Sequence, residues 1–253
     1  MKLTLLGTGT SQGVPVIGCE CRVCQSQHPH DNRLRSAALL QHKGINILID
    51  PGPDFRQQML RAKIKHLNAI LITHEHNDHI IGIDDVRPFN FASGEAMKVF
   101  ALPRVANDLK HRFQYVFSDP IPGLPRIELH YITPNSQLQF NDLQIQAIEI
   151  LHGKLPILGF RFGNSAYLTD VKTIPTHEFS KLTELKHLVI NALHYHPHPT
   201  HLNVPECLEL IKEINPENAW ITHMSHHIGL AAEVSLELPK GVQLGFDGLE
   251  IEL

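Results

Sequence analysis

No apolar run in this 253-residue sequence approaches the roughly 20 residues that a membrane-spanning helix needs. The longest candidates, at residues 69–72 and 155–160, are only a few residues each, so no membrane is expected to be involved. A run of Lys or Arg is also missing: 22 basic side chains face 26 acidic ones, for a formal charge of −4. That balance argues against gripping nucleic acid as a main task. Residues 1–6 lead straight into Gly7-Thr8-Gly9-Thr10, too short for a secretory apolar core, so the expected compartment is the cytoplasm. Repeats, low-complexity tracts and Gly/Ser linkers are absent, and one domain over 1–253 is the expectation. Four cysteines are too few and too clustered for a disulfide framework in a reducing compartment. With 42% hydrophobic and 19% charged residues, a disordered or fibrous chain is excluded as well.

What is abundant is histidine, 19 in all. Imidazole suits metal ligation and proton transfer near neutral pH, so clusters are informative. Strands are expected at 2–6, 37–41, 45–49, 69–72, 143–150, 186–190, 219–222 and 242–246, with a hairpin of 158–162 and 165–169 about Gly163-Asn164. Helices are expected at 53–62, with Phe55, Met59 and Leu60 inward, at 103–113, and at 204–214, with Leu208 and Ile211 inward. Residues 118–125 read as a Pro-rich loop. The alternation predicts an α/β fold. His74, His152, Asp170 and His223 each follow a strand at once, and strand ends in such folds converge on one rim.

Residues 74–79, His-Glu-His-Asn-Asp-His, place four potential ligands in six positions. His74 and His76 would share one face of an extended segment, and a turn at Asn77 could aim Asp78 and His79 at a second ion. Divalent cations bound by N and O need four to six donors each, so others must come from elsewhere; His152, Asp170 and His223 are available. Burying these groups together without a metal would cost several kcal/mol. Cys19, Cys21, Cys24 and one His make a closed tetrahedral set that would stabilise a fold, and they lie in a loop of almost thirty residues that something must pin.

The H-x-H-x-D-H run resembles that of the metallo-β-lactamase superfamily. The resemblance implies an αββα four-layer sandwich, with His74, His76 and His152 on one metal, Asp78, His79 and His223 on the other, and Asp170 bridging. Within the superfamily, residues 7–24 (GTGTSQGVPVIGCECRVC), 221–227 (ITHMSHH) and 245–251 (GFDGLEI) look like the PhnP group of cyclic phosphodiesterases. That group opens phosphoribosyl 1,2-cyclic phosphate. The likeness implies a structural Zn²⁺ on Cys19, Cys21, Cys24 and His226, in a zinc-bound loop at about 7–30, and two active-site cations, Mn²⁺ or Zn²⁺, with Fe²⁺ also compatible. The zinc would steady His223, three residues from His226.

His201 matches the extra histidine of that group. The expected reaction is in-line attack of a metal-generated hydroxide on phosphorus, with His201 as acid or phosphate ligand and Asp78 counted with it as catalytic. The partner is then a small cyclic phosphate, and a homodimer stays open. Two alternatives are weighed: tRNA 3′-end processing on the same fold, which calls for a basic surface or an RNA-gripping arm, and a non-enzymatic zinc-stabilised binding module. Arg33 and Arg35 are either phosphate clamps or charged strand entries. His194, His196 and His198 are either an accessory metal patch or, as expected, a solvated rim. Residues 7–13 lack the Gly-Lys-Ser/Thr ending of a phosphate loop. His28, His30, His42, His66, His111, His130, His177 and His187 are read as surface or core, and Cys207 as core.

Overall fold

A computed structural model describes residues 1–118 and 122–253. Its elements, in chain order, begin with β1 (Lys2–Gly7), β2 (Ala37–His42), β3 (Ile45–Ile49), α1 (Phe55–Arg61), β4 (Ala69–Leu71), α2 (Asn77–Ile80), α3 (Arg87–Ser93), β5 (Met97–Ala101), α4 (Pro103–Arg112), α5 (Gln114–Phe117) and β6 (Ile127–Tyr131). They continue with β7 (Gln137–Phe140), β8 (Leu143–His152), β9 (Leu155–Phe162), β10 (Ser165–Leu168), β11 (His187–Asn191), α6 (Val204–Ile214), β12 (Asn218–Thr222), α7 (Ala231–Val234), β13 (Val242–Leu244) and β14 (Glu250–Glu252). Of the Pro-rich loop at 118–125, residues 119–121 lie outside the described residues, and 122–125 are in neither helix nor strand.

The strands form two mixed sheets, ordered β14-β1-β2-β3-β4-β5-β6 and β13-β12-β11-β10-β9-β8-β7. Alternation of side chains explains how they stack. Ala38, Leu40, Ile47, Ile49, Ala69 and Leu71 turn inward and meet Phe160, Tyr167, Val189 and Trp220 of the second sheet. Their neighbours Leu39, Leu48 and Ile70 turn outward beneath α1, α3 and α4, packing with Phe55, Phe89 and Leu109. On the far side Leu188, Ile190 and Ile221 pack under α6 with Cys207 and Ile211. Three apolar layers therefore separate helix, sheet, sheet and helix, which is the αββα sandwich. Each fully buried aliphatic or aromatic side chain contributes about 1.5–3 kcal/mol.

Two local readings change. Helix α1 starts at Phe55 and not at residue 53, because Pro53 and Asp54 form a turn in which the Phe55 N–H binds the Gly52 carbonyl; the Asp54 carboxylate accepts from the Arg35 backbone N–H at 2.8 Å and pairs with Arg35 Nε at 3.1 Å. Leu60 is 61% exposed and not inward; Phe55 and Met59, four apart, set the buried face and Leu60 falls off it. Leu208 is only partly buried, while Cys207 is fully so. The hairpin is as expected, with Phe162 opposite Ser165 across the two-residue turn.

The loop between β1 and β2 is fastened by hydrogen bonds within the chain. Val14 and Arg33 pair backbone to backbone, Asp31 accepts from Ser26 Oγ and the Ala231 N–H, and Arg33 Nη1 donates to Thr8 Oγ1 and the Gly245 carbonyl. Asp247 accepts from the Thr8 and Leu34 N–H groups.

Candidate metal centre

The first ligand run begins where β4 stops. Thr73 leaves the strand but still ties the sheets together, since the Leu158 N–H donates to its carbonyl at 3.0 Å. His74 and His76 follow in extended chain, and α2 then turns Asp78 and His79 back toward the same rim. Glycine permits this turn: a Cβ on Gly52 would lie 2.1 Å from the Asp78 carbonyl oxygen.

The structure brings the seven scattered residues together. Ligand atoms lie mutually within 4.8 Å in three overlapping groups: His74, His79 and Asp170; Asp78, His79 and His223; and His152, Asp170 and His201. Asp170 holds the centre, with Oδ2 3.3 Å from His79 Nε2 and Oδ1 3.2 Å from His223 Nε2. The His76 ring completes the set at 4.5 Å from His74 and 5.2 Å from His152. His201 stands beside Asp170 at 3.6 Å.

Four imidazoles are oriented from behind. His74 Nδ1 donates to Thr73 Oγ1, whose own hydrogen goes to Asp50. His79 Nδ1 donates to Asp50 Oδ2 at 2.7 Å, His152 Nδ1 to the Thr200 carbonyl at 2.9 Å, and His223 Nδ1 to Ser36 Oγ at 3.2 Å. Each bond fixes a tautomer whose Nε2 lone pair faces inward, the arrangement that ligating histidines require. Sequence reading missed Asp50, Thr73 and Ser36. The signal for Asp50 was present, since it too follows a strand directly.

Asp50, Asp170 and His223 share a further property: φ of +64°, +60° and +55°. Left-handed backbone costs such residues about 1–2 kcal/mol each, and it persists where hydrogen bonding over-determines it.

Electrostatics agree with a cation site. Burial would raise the Asp170 carboxyl, yet His223, His79 and His74 hold it well below the ordinary range. Burial would lower His79, yet Asp78, Asp170 and Asp50 raise it well above the usual imidazole value. Burial lowers His74 and His223, and it takes His201 down to about 3. His79 Nε2 is buried without a hydrogen-bond partner although two carboxylates approach it. Carboxylates that draw positive charge onto a buried, unpartnered imidazole nitrogen, with further imidazoles converging beside it, form the donor set of a divalent cation, so the residues fit one.

The cysteine cluster also assembles. Cys19, Cys21 and Cys24 Sγ lie 3.3, 3.3 and 3.4 Å from His226 Nδ1. The Cys24 N–H and then the His226 side chain lower the Cys21 thiol to about 6, so it is a thiolate at neutral pH. Both clusters meet on one segment, residues 223–226, which is bound to the first sheet by Met224 N–H to the Thr8 carbonyl and Thr10 N–H to the Met224 carbonyl.

Arg33 is no clamp: it is buried, with its pKa lowered to about 10 by desolvation, and braces the loop. Arg35 is taken by Asp54. Glu75 is held by Arg104 at 2.7 and 3.0 Å.

Residues 45–224 match the model of the "Beta-lactamase superfamily domain". A solved structure described as a new diphosphatase from the PhnP family is 39% identical, covering 99% of this chain and 96% of its own, with a TM-score of 0.93. The chain belongs to the metallo-β-lactamase superfamily, in its PhnP family. The chain has that fold, which implies divalent metal ions. Among curated proteins it is 43% identical over 254 residues to an octanoyltransferase of Porphyromonas gingivalis, covering 99% of this chain and 51% of that one. A ribonuclease Z of Bradyrhizobium sp. is 28% identical over 146 residues, 54% of this chain and 47% of the relative. The chain thus spans about half the length of these two curated relatives. No helix of the described residues is long and apolar enough to cross a membrane.

Proposed function

We propose that this PhnP-family chain is a dinuclear metal-dependent phosphodiesterase that opens a small cyclic phosphate, such as phosphoribosyl 1,2-cyclic phosphate. The observation that carries the reading is His201, an imidazole outside the seven-residue ligand set yet packed against Asp170 at its centre. His74, His76 and His152 would hold one cation, Asp78, His79 and His223 the other, with Asp170 between them. Cys19, Cys21, Cys24 and His226 would hold a structural Zn²⁺. The His/Asp set suits Mn²⁺, Zn²⁺ and Fe²⁺. When bound, the paired cations supply Lewis acidity and a nucleophile at neutral pH.

The remaining work falls to the chain. Asp50, Thr73, Ser36 and the Thr200 carbonyl keep four imidazoles aimed inward. His201, held neutral by burial, meets the substrate as a hydrogen-bond donor from Nδ1, a nitrogen without a partner in the free site. A phosphate anion beside it raises its proton affinity, so the ring can take up a proton from solvent and pass it to the departing sugar oxygen, returning to the neutral form. Asp78, with Oδ2 3.2 Å from His79 Nε2, would support the reaction as a ligand beside it.

The test is a screen of metal-loaded protein against 1,2-, 2′,3′- and 3′,5′-cyclic phosphates, linear diesters, a diphosphate and a precursor tRNA. Turnover of a cyclic diester at the highest kcat/KM is the expected result. A second reading, hydrolysis of a linear diphosphate, is favoured by the description of the 39% identical relative and takes over if the diphosphate alone is cleaved. Cleavage of the tRNA alone would assign the chain to RNA processing. A small-molecule partner follows from the leading reading, and a cytoplasmic location is proposed beside it.

A further inference from the structure

Beside the metal rim, and outside both clusters, lies a group of imidazoles that the reaction does not use. His194 is its hub: its ring centroid is 5.9 Å from His196, 6.1 Å from His198 and 6.2 Å from His227. The first three come from one loop, and His227 comes from a different one, 33 positions beyond His194. Rings that share a cation at 2.0–2.1 Å from nitrogen have centroids at most roughly 6.5 Å apart. The separations of His194 from His196 and from His227 fall within that reach, somewhat wider than the 5.7 Å between His74 and His152 and between His79 and His223, so the His196 and His227 rings must turn toward each other to share an ion.

We propose that His194, His196 and His227 form a third metal site, on the surface, which captures a divalent transition cation. Three observations carry this. His194 Nδ1 is buried with no hydrogen-bond partner, a polar atom that the fold leaves unsatisfied. The backbones of two ligands are fixed: the Val204 N–H binds the His194 carbonyl at 2.8 Å, and the His227 N–H binds Ser225 Oγ in a short 3₁₀ turn (His226–Ile228). His196 and His227 are exposed, so a cation reaches them from solvent and rotation of their rings closes the site. The nitrogens are not drawn together as tightly as in the groups described above, and that rotation supplies the difference.

His198 is a neighbour and not a ligand, because its Nδ1 already accepts from the Thr200 N–H at 3.3 Å. It stands 5.1 Å from His201, so a line of imidazoles runs from the captured cation toward the catalytic rim. An all-imidazole set selects Zn²⁺, Co²⁺, Ni²⁺ or Cu²⁺ and discriminates against Mg²⁺ and Ca²⁺, which take oxygen ligands.

The experiment is calorimetric titration of Zn²⁺ into protein whose resident sites are already filled with zinc, with the metal content counted before and after. One further equivalent is expected, with none taken up when Mg²⁺ replaces Zn²⁺. The double variant His194→Gln, His227→Gln should lose that equivalent while keeping its resident zinc and its turnover. His196→Gln, a change at an exposed position that leaves folding intact, should weaken the added binding by ~10–100-fold or more, the loss seen when even an outer partner of a metal site is removed. Absence of the further equivalent, equal uptake by the double variant, or equal uptake of Mg²⁺ would overturn the proposal. The count is read without any ester, so it stands or falls apart from the phosphodiesterase reading.

Discussion

At the residue scale, the position that decides most is Asp50. It accepts from Thr73 N–H, Thr73 Oγ1 and His79 Nδ1 while fully buried, so one carboxylate orients two ligands. Asp50→Asn keeps the shape and tolerates the left-handed backbone but loses the charge that draws the His79 hydrogen. Metal affinity at the centre should fall by ~10–100-fold, read by competition with a chromophoric chelator, with the circular dichroism unchanged. An affinity equal to wild type would show that Asp50 merely fills space. His201→Ala separates chemistry from metal binding. Turnover of the cyclic diester should drop by ~10²–10⁴-fold at full metal content, and unchanged turnover would remove His201 from the mechanism.

At the scale of elements, the short helix α2 depends on a glycine that it does not contain. A methyl at Gly52 would strike the Asp78 carbonyl, and Gly82 in turn packs on the Gly52 carbonyl, where a Cβ would come to 2.0 Å. Gly52→Ala should therefore destabilise the fold by ~1–3 kcal/mol, as overpacking does, and lower metal content with it; urea midpoints and elemental analysis report the two losses. Helix α6 offers a pH test. Burial raises Glu206, but Lys172 and the Asn203 N–H outweigh it and leave the carboxyl below its ordinary value. A depressed acid stabilises the fold above its unfolded pKa and loses that effect as pH falls through the folded one. Denaturation midpoints of wild type and Glu206→Gln should differ at neutral pH and converge as the pH falls below the ordinary carboxylate range.

These elements also show what the sequence made legible. Strands with clean alternation, such as residues 143–150, and the Gly163-Asn164 turn were readable because their signals are local. The HEHNDH run was readable because four ligands sit in six positions. Strand β5 and helix α3 were not, since MKVFA and RPFNFAS carry no sustained period and owe their form to packing against neighbours. Asp50 and Ser36 support ligands 29 and 187 positions along the chain, Thr73 braces its neighbour His74 only because Asp50 reaches it from another strand, and the meeting of His194 with His227 is a product of tertiary folding that no spacing encodes.

At the scale of the molecule, both clusters join the first half of the chain to the second. The cysteine set joins residues 19–24 to His226, so a bound Zn²⁺ there would cross-link segments about two hundred positions apart. Prolonged chelation, or Cys21→Ser, should lower the thermal midpoint and loosen the loop around residues 11–30, measured by calorimetry and by amide exchange. Retention of the midpoint after complete zinc removal would show that the Asp31, Arg33 and Asp247 hydrogen bonds hold the loop unaided.

Strand β14 lies antiparallel to β1, with Lys2 opposite Glu252 and the Leu253 N–H bonded to the Met1 carbonyl. Positions 1 and 253 consequently sit side by side at the start of β1, while the opposite end of that strand leads to the catalytic rim. A fluorophore, an immobilising tether or a fused neighbour attached at either position would hang from the underside of the sandwich and leave the mouth of the site free.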